Sequence, residues 1–161
     1  LTIRTAREGG SWEINDDERY ELFKQFAPHV DYIDIEIKSE LFSRYQRRDF
    51  PAGLKIIGSF HNYERTPATE EISELIAAGR DWGLDIIKLA CFINTSEECL
   101  RLESFLGEKD ICLIGMGELG IKTRTEFPLK GSRLTYGFLD DSAAPGQLSA
   151  KELWDLLKNS H

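Results

Sequence analysis

Basic residues are outnumbered in this sequence. Lys and Arg total 20 against 28 Asp and Glu, a net charge of -8 with histidine neutral. Nucleic acid is held by a cationic surface, so the balance argues against non-specific nucleic-acid binding. The same sign argues against an anionic membrane surface. No apolar run approaches the roughly 18–20 residues needed to cross a bilayer. Residues 1–10 lack the basic stretch, apolar core and small-residue cleavage site of a secretory leader. The three cysteines, Cys91, Cys99 and Cys112, are odd in number and form no CxxC pair. That argues against a disulfide scaffold and a structural zinc site, and for a reducing, cytoplasmic setting. There is no GxGxxG and no GKS or GKT; the run Met116 to Gly120 has two glycines without phosphate-loop spacing. Tandem repeats, low-complexity stretches and linkers are also missing, so the 161 residues read as one domain.

What is present is an alternation of two periodicities. Strands are expected at Leu1 to Thr5, Val30 to Ile37, Leu54 to Phe60, Leu84 to Ile93, Ile111 to Met116 and Arg133 to Leu139, from β-rich runs or period-two alternation. Helices are expected between and after them. One runs over Asp16 to His29, capped by Asn15 with Glu18. Others run over Glu40 to Arg48, from Thr66-Pro67 to Trp82, and from a Thr95/Glu98 capping box to Phe105. A short one lies around Ile121 to Phe127, and the last runs from a Ser149/Glu152 box to Asn159. Six strands alternating with six helices predict a parallel sheet with helices packed outside it. A complete (β/α)8 barrel usually needs about 200–250 residues, so six units fall two short of one.

In parallel β/α folds the chemistry gathers at the C-terminal ends of the strands. The polar residues there are Arg4 and Glu8, Asp34 and Glu36, His61, Lys88, Arg124 and Gln147; Met116 ends the fifth strand. Lys88 interrupts an apolar run, Ile86-Ile87-Lys88-Leu89-Ala90. By period two, Ile87 and Leu89 face the helices, while Ile86, Lys88 and Ala90 face inward. Desolvation there favours the neutral amine, the form that attacks a carbonyl to make a Schiff base. A lysine at a strand end also commonly snorkels to solvent. His61 is the only histidine at a strand end. A lone histidine is ordinarily structural, yet this one ends the strand beside the lysine's, where a general base belongs. Asp34 and Glu36 share a parity, so both point inward and need cationic partners, for which Arg4 and Lys88 are the natural choices. Glu8, four residues after Arg4, could pair with it or orient the histidine. Arg4, Arg124 and Gln147 suit a carboxylate or several hydroxyls, although each alone reads first as surface solvation. Met116 alone reads as core filling.

Six segments in order carry a resemblance: TIRTAREGG (2–10), DYIDIE (31–36), SFHNYERTP (59–67), DIIKLA (85–90), GMGELGIKTR (115–124) and LTYGF...SAAPGQLS (134–149). Each is weak singly. Together they resemble type I 3-dehydroquinate dehydratase, the shikimate-pathway hydro-lyase. The resemblance implies a (β/α)8 TIM barrel, a homodimer, no metal and no organic cofactor. It implies that Lys88 forms the Schiff base with 3-dehydroquinate and that His61 is the general acid/base oriented by Glu8. It further implies that Arg4 and Asp34 line the site, that Met116 packs over the ring, and that Arg124 and Gln147 hold the substrate carboxylate and hydroxyls.

Two departures stand out. The family often reads Ser-Ala-Pro-Gly-Gln in the last motif, whereas Ala143 occupies the serine position here and Ser142 precedes it. Ser142 is therefore a candidate substrate contact in place of the family serine. The family also carries two further βα units ahead of the first motif, one of them bearing a site glutamate and arginine. By this resemblance residues 1–161 correspond to the C-terminal three quarters of the barrel. A six-strand remnant would leave two sheet edges open. The chain is then part of a longer protein, or a short version that closes its edges with a partner chain. Other readings are a class I aldolase-like Schiff-base lyase, against which the missing phosphate loop counts, and an inactive barrel fragment that needs a partner chain.

Overall fold

A computed structural model describes residues 1–11, 13–142 and 144–159. The elements are α1 (Asp16–Phe26), β1 (Tyr32–Glu36), α2 (Glu40–Arg44), β2 (Lys55–Asn62), α3 (Thr69–Trp82), β3 (Ile86–Phe92), α4 (Ser96–Glu103), β4 (Ile111–Met116), α5 (Thr123–Leu129) and α6 (Ala150–Lys158). The four strands form one sheet in sequential order, β1-β2-β3-β4, and β1 pairs with β2 in parallel. The chain divides into two compact units. One comprises Leu1–Phe60 and Glu70–Lys88, the other His61–Thr69 and Leu89–His161. No described helix is long and apolar enough to cross a membrane.

In the first unit, Ile33 and Ile35 of β1 are fully buried with Phe23, Leu41, Phe50, Leu54 and Ile56. Burying each such side chain contributes about 1.5–3 kcal/mol. This packing fixes the strand's parity: Ile33 and Ile35 enter the apolar core, so Asp34 and Glu36 emerge on the opposite face. The lid of the core is aromatic. Phe42 and Trp82 stack with ring centroids 5.1 Å apart, and Trp82 Nε1 donates to the Phe42 and Tyr45 carbonyls at 2.9 Å each. In the second unit, Leu113 of β4 sits with Leu89, Leu102, Ile111 and Phe127 among its buried residues. Cys91, Cys99 and Cys112 are free and buried.

The caps at Asn15/Glu18 and Ser149/Glu152 are reciprocal boxes as expected. Thr95 receives the Glu98 amide, but Glu98 takes the Asn94 amide at 2.6 Å in place of the Thr95 one, so the third box is open. The expected helix at Thr66-Pro67 begins at Thr69 instead. Thr66 Oγ1 donates to the Phe92 carbonyl, and Arg101 takes the Thr66 and Pro67 carbonyls, so this stretch is tied down as a loop. The first helix ends at Phe26, before a 3-10 turn containing Pro28. The helix from Glu40 stops at Arg44.

Two expected strands are reduced to single bridges. Leu1 to Thr5 keeps one parallel bridge, Thr2 to Asp34, and Arg133 to Leu139 keeps one, Phe138 to Ser149. Beside β4, side chains take over the ladder positions: Ser132 Oγ accepts from the Leu113 amide at 3.0 Å, and the Cys112 thiol donates to the Leu134 carbonyl. A backbone group satisfied by a side chain makes no strand pair.

Candidate active site

The inward face of β1 organises a buried charge network in the first unit. Lys88 of β3 is 6% exposed and Asp34 is 4% exposed. Lys88 Nζ donates to Asp34 Oδ2 at 3.0 Å. Arg4 donates through Nη2 to the same oxygen at 3.3 Å and through Nη1 to Ser59 Oγ at 2.7 Å. The Ser59 hydroxyl in turn donates to Asp34 Oδ1. Asp34 is thus held by two cations and a hydroxyl from three separate segments. Burial opposes its ionisation, but the Lys88 ammonium, the Arg4 guanidinium and the Ser59 hydrogen bond outweigh that and hold the carboxyl below its ordinary range.

Glu36, two residues along the same face, is the second anchor. Its Oε1 accepts from the Thr5 amide at 2.8 Å and lies 3.6 Å from Arg4 Nη1. Its Oε2 accepts from Arg19 Nη2. Arg19 of α1 is fully buried. It also bonds Asp16 through Nη1 and the Ile3 carbonyl through Nε at 2.9 Å. Asp16 in turn accepts from the Leu41 amide at 2.9 Å. The network therefore alternates Lys88, Asp34, Arg4, Glu36, Arg19 and Asp16, cation against anion throughout.

The loop after Arg4 is shaped for a buried acid. A 3-10 turn, Ala6–Glu8, buries Glu8, and Gly9 leaves it in the left-handed region at φ 88°. The next residue, Gly10, is packed so tightly that a Cβ there would lie 2.1 Å from the Arg4 carbonyl oxygen. The two glycines of TIRTAREGG thus let the chain fold back over Arg4.

The remaining candidates lie in the second unit. His61 is half-buried near the end of β2. Met116, at the end of β4, is 1% exposed. Arg124 of α5 is 2% exposed, and the one hydrogen bond of its side chain among the described residues, Nη1 to the Tyr136 carbonyl, is long at 3.4 Å. Its Nε is buried with no partner, and no described carboxylate pairs with it. Burial pulls this guanidinium below its ordinary range. Such a group is a ready receptor for an anion. Gln147 follows a turn docked on the end of β4: the Gly117 amide donates to the Pro145 carbonyl at 3.2 Å, and Gly146 has φ 73°. Ser142 is exposed and donates to the Ala144 carbonyl at 3.0 Å, while Ala143 lies outside the described residues.

Asp34, Arg4, Glu36 and Lys88 are thus brought together as the strand parity anticipates. Three members have no signature in the sequence: Ser59, Arg19 and Arg19's partner Asp16. Ser59 was hidden because a serine in an apolar strand reads as neutral. Arg19 was hidden in a charged helix start, although it lies four residues before Phe23 on the buried stripe.

A sequential β/α sheet built around a buried strand lysine and its carboxylate is the frame of a β/α-barrel enzyme. The type I 3-dehydroquinase family model matches residues 1–161, and the chain belongs to that family. It is 35% identical over 160 residues to the 3-dehydroquinate dehydratase of Thermodesulfovibrio yellowstonii, covering 98% of this chain and 70% of that one. It is similar to the crystal structure of the Aquifex aeolicus 3-dehydroquinate dehydratase, with a TM-score of 0.83 at 36% identity, over 100% of this chain and 73% of the other. The Clostridium difficile type I enzyme, solved with covalent modified comenic acid, matches with a TM-score of 0.84 at 28% identity, over 99% and 67%. The chain thus spans about two thirds to three quarters of these relatives, which bear the name of a hydro-lyase. Its fold class is the (β/α)8-barrel family that the motifs implied.

Proposed function

We infer that this chain dehydrates 3-dehydroquinate to 3-dehydroshikimate by syn elimination through an imine on Lys88, with residues 1–161 acting as one catalytic domain. The observation that carries the reading is Lys88 itself. It is a lysine buried inside a strand, 3.0 Å from a carboxylate that two other groups hold ionised. In this reading Lys88 passes one proton to solvent and its free amine adds to the C3 ketone; as a proton is taken back, the carbonyl oxygen leaves as water and a protonated imine remains. The protonated imine acts as an electron sink, so His61 takes the C2 proton while the C–H electrons form an enamine. The enamine expels the C1 hydroxyl, which leaves as water with the proton that His61 returns. Water then adds to the imine carbon and frees Lys88 and product. General acid/base help of this kind is worth about 10²–10⁴-fold.

Glu8 orients His61 in this scheme. Arg124, whose buried Nε lacks an acceptor among the described residues, takes the substrate carboxylate. Arg4, Asp34, Gln147 and Ser142 address the hydroxyls, and Met116 packs over the ring. Covalent chemistry in the family finds support in the Clostridium difficile structure with covalent modified comenic acid. A homodimer in the cytoplasm belongs to the same reading and rests on the family resemblance; sedimentation equilibrium tests the dimer.

The test is borohydride reduction in the presence of 3-dehydroquinate, followed by intact mass and peptide mapping. The expected result is one reduced adduct on Lys88 and none in Lys88→Ala, which also loses turnover. Normal turnover in Lys88→Ala overturns the assignment. An adduct with other small ketones but not with 3-dehydroquinate points to a different Schiff-base lyase.

A further inference from the structure

Arg19 is the least expected member of the buried network. It touches neither Lys88 nor Asp34 directly. It lies on α1, fully buried, and spreads its three nitrogens over Glu36, Asp16 and the Ile3 carbonyl. A buried guanidinium is costly unless it is paired and hydrogen-bonded, and here each of its three nitrogens has an acceptor.

Arg4 stands between two carboxylates. Nη2 lies 3.3 Å from Asp34, while Nη1 lies 3.6 Å from Glu36 and 2.7 Å from Ser59. Both carboxylates are on one face of β1, two residues apart, so they compete for the same guanidinium. Arg19 engages Glu36 from the side away from Arg4, at Oε2, while the Thr5 amide takes Oε1. With Glu36 satisfied from behind, Arg4 holds Asp34 and Ser59.

We propose that Arg19 is a positioning residue: by saturating Glu36 it keeps Arg4 on Asp34 and Ser59, and so keeps the Asp34 carboxyl aimed at Lys88. Without Arg19, Glu36 is a buried carboxylate short of a cation, and Arg4 moves to it. Asp34 then faces Lys88 with one cation fewer. The groups facing Asp34 are Arg4 from the N-terminal segment, Ser59 from β2 and Lys88 from β3, with Glu36 two residues along its own strand. The catalytic consequence rests on the proposed dehydratase reading; the electrostatic one does not.

The experiment is a carbon-13 titration of the Asp34 carboxyl, assigned with Asp34→Asn. It is run on the protein and on Arg19→Met, Arg19→Lys and the double variant Arg19→Met with Glu36→Gln. Arg19→Met is expected to raise the proton affinity of Asp34 by about tenfold, one pH unit. Arg19→Lys keeps the charge beside Glu36 and stays close to the parent. The double variant removes the competitor along with its partner, so Asp34 returns to within about threefold of the parent. Should Arg19→Met not fold, Arg19→Gln, which retains a donor without the charge, carries the same comparison. An Asp34 midpoint unmoved in the charge-removed variant overturns the proposal, as does an equal shift in the single and double variants; Arg19 is then only a structural strut. Turnover is read alongside, per borohydride-titrated site, with kcat expected to fall about tenfold and KM to hold. If the parent protein forms no adduct with 3-dehydroquinate, the dehydratase reading fails while the carboxyl titration still decides the role of Arg19.

Discussion

Replacing Asp34 by asparagine removes one charge from the centre of the network and keeps the shape. Lys88 Nζ at 3.0 Å and Arg4 Nη2 at 3.3 Å then face a neutral amide. A unit charge pair at 3 Å and an effective dielectric near 20 is worth roughly 5–6 kcal/mol before desolvation is counted. Breaking a buried pair by removing one partner costs about 3–5 kcal/mol, because the other charge stays behind in the interior. Against a typical total of about 5–15 kcal/mol, Asp34→Asn should lower unfolding stability by a large fraction. Urea unfolding with linear extrapolation reads this as a lower midpoint at unchanged slope. Adding Lys88→Met to Asp34→Asn removes the stranded ammonium and should recover at least half of the loss. The pH dependence has a definite sign. The Asp34 carboxyl is held below its ordinary value. Its contribution is therefore complete above the unfolded pKa of about 3.9 and is lost as pH falls through the lower folded value. The gap between parent and Asp34→Asn should be constant from about pH 5 to 7 and close in more acid solution. A loss below about 1 kcal/mol at neutral pH, or a gap that persists in acid, would refute the argument.

Three further outcomes follow from the second unit. His61→Ala should lower kcat by about 10²–10⁴-fold while a borohydride adduct still forms on Lys88, measured by steady-state rates and intact mass. Arg124→Met should raise KM for 3-dehydroquinate by about tenfold or more, the loss of one charge-assisted contact. Its melting temperature should be equal or higher, because a buried cation without an anionic partner is removed; a sharp fall in melting temperature with unchanged KM goes against this role. Gly146→Ala forces a side chain into φ 73°, with its Cβ 2.7 Å from the Gly117 oxygen. The turn leading into Gln147 should then lift from the end of β4 at about 1–3 kcal/mol, seen as a raised KM and a lower melting temperature.

Local chemistry was legible along the chain. Asn15 with Glu18 and Ser149 with Glu152 are caps whose donors and acceptors lie within one turn, so residue order suffices to pair them. The parity of Asp34 and Glu36 was legible for the same reason. Strand alternation is a property of the backbone, and burying Ile33 and Ile35 sends the two carboxylates to the other face. The choice of Arg4 and Lys88 as their partners held as well. Where Thr66-Pro67 or Arg133 to Leu139 was misjudged, a distant group intervened. Arg101 claimed the loop carbonyls, and Ser132 and Cys112 took the places of a strand ladder.

Residue order by itself determined the alternation of helices and strands, the inward lysine and the face on which its carboxylate lies. Tertiary structure alone decided that Arg19, from a helix start crowded with acids, reaches Glu36, and that Ser59 bridges Arg4 to Asp34. The difference is one of range. Capping and alternation act over two to four residues, whereas a buried charge takes whichever opposite charge the folded chain brings within reach, 17 residues away for Arg19 and Glu36 and 54 for Lys88 and Asp34.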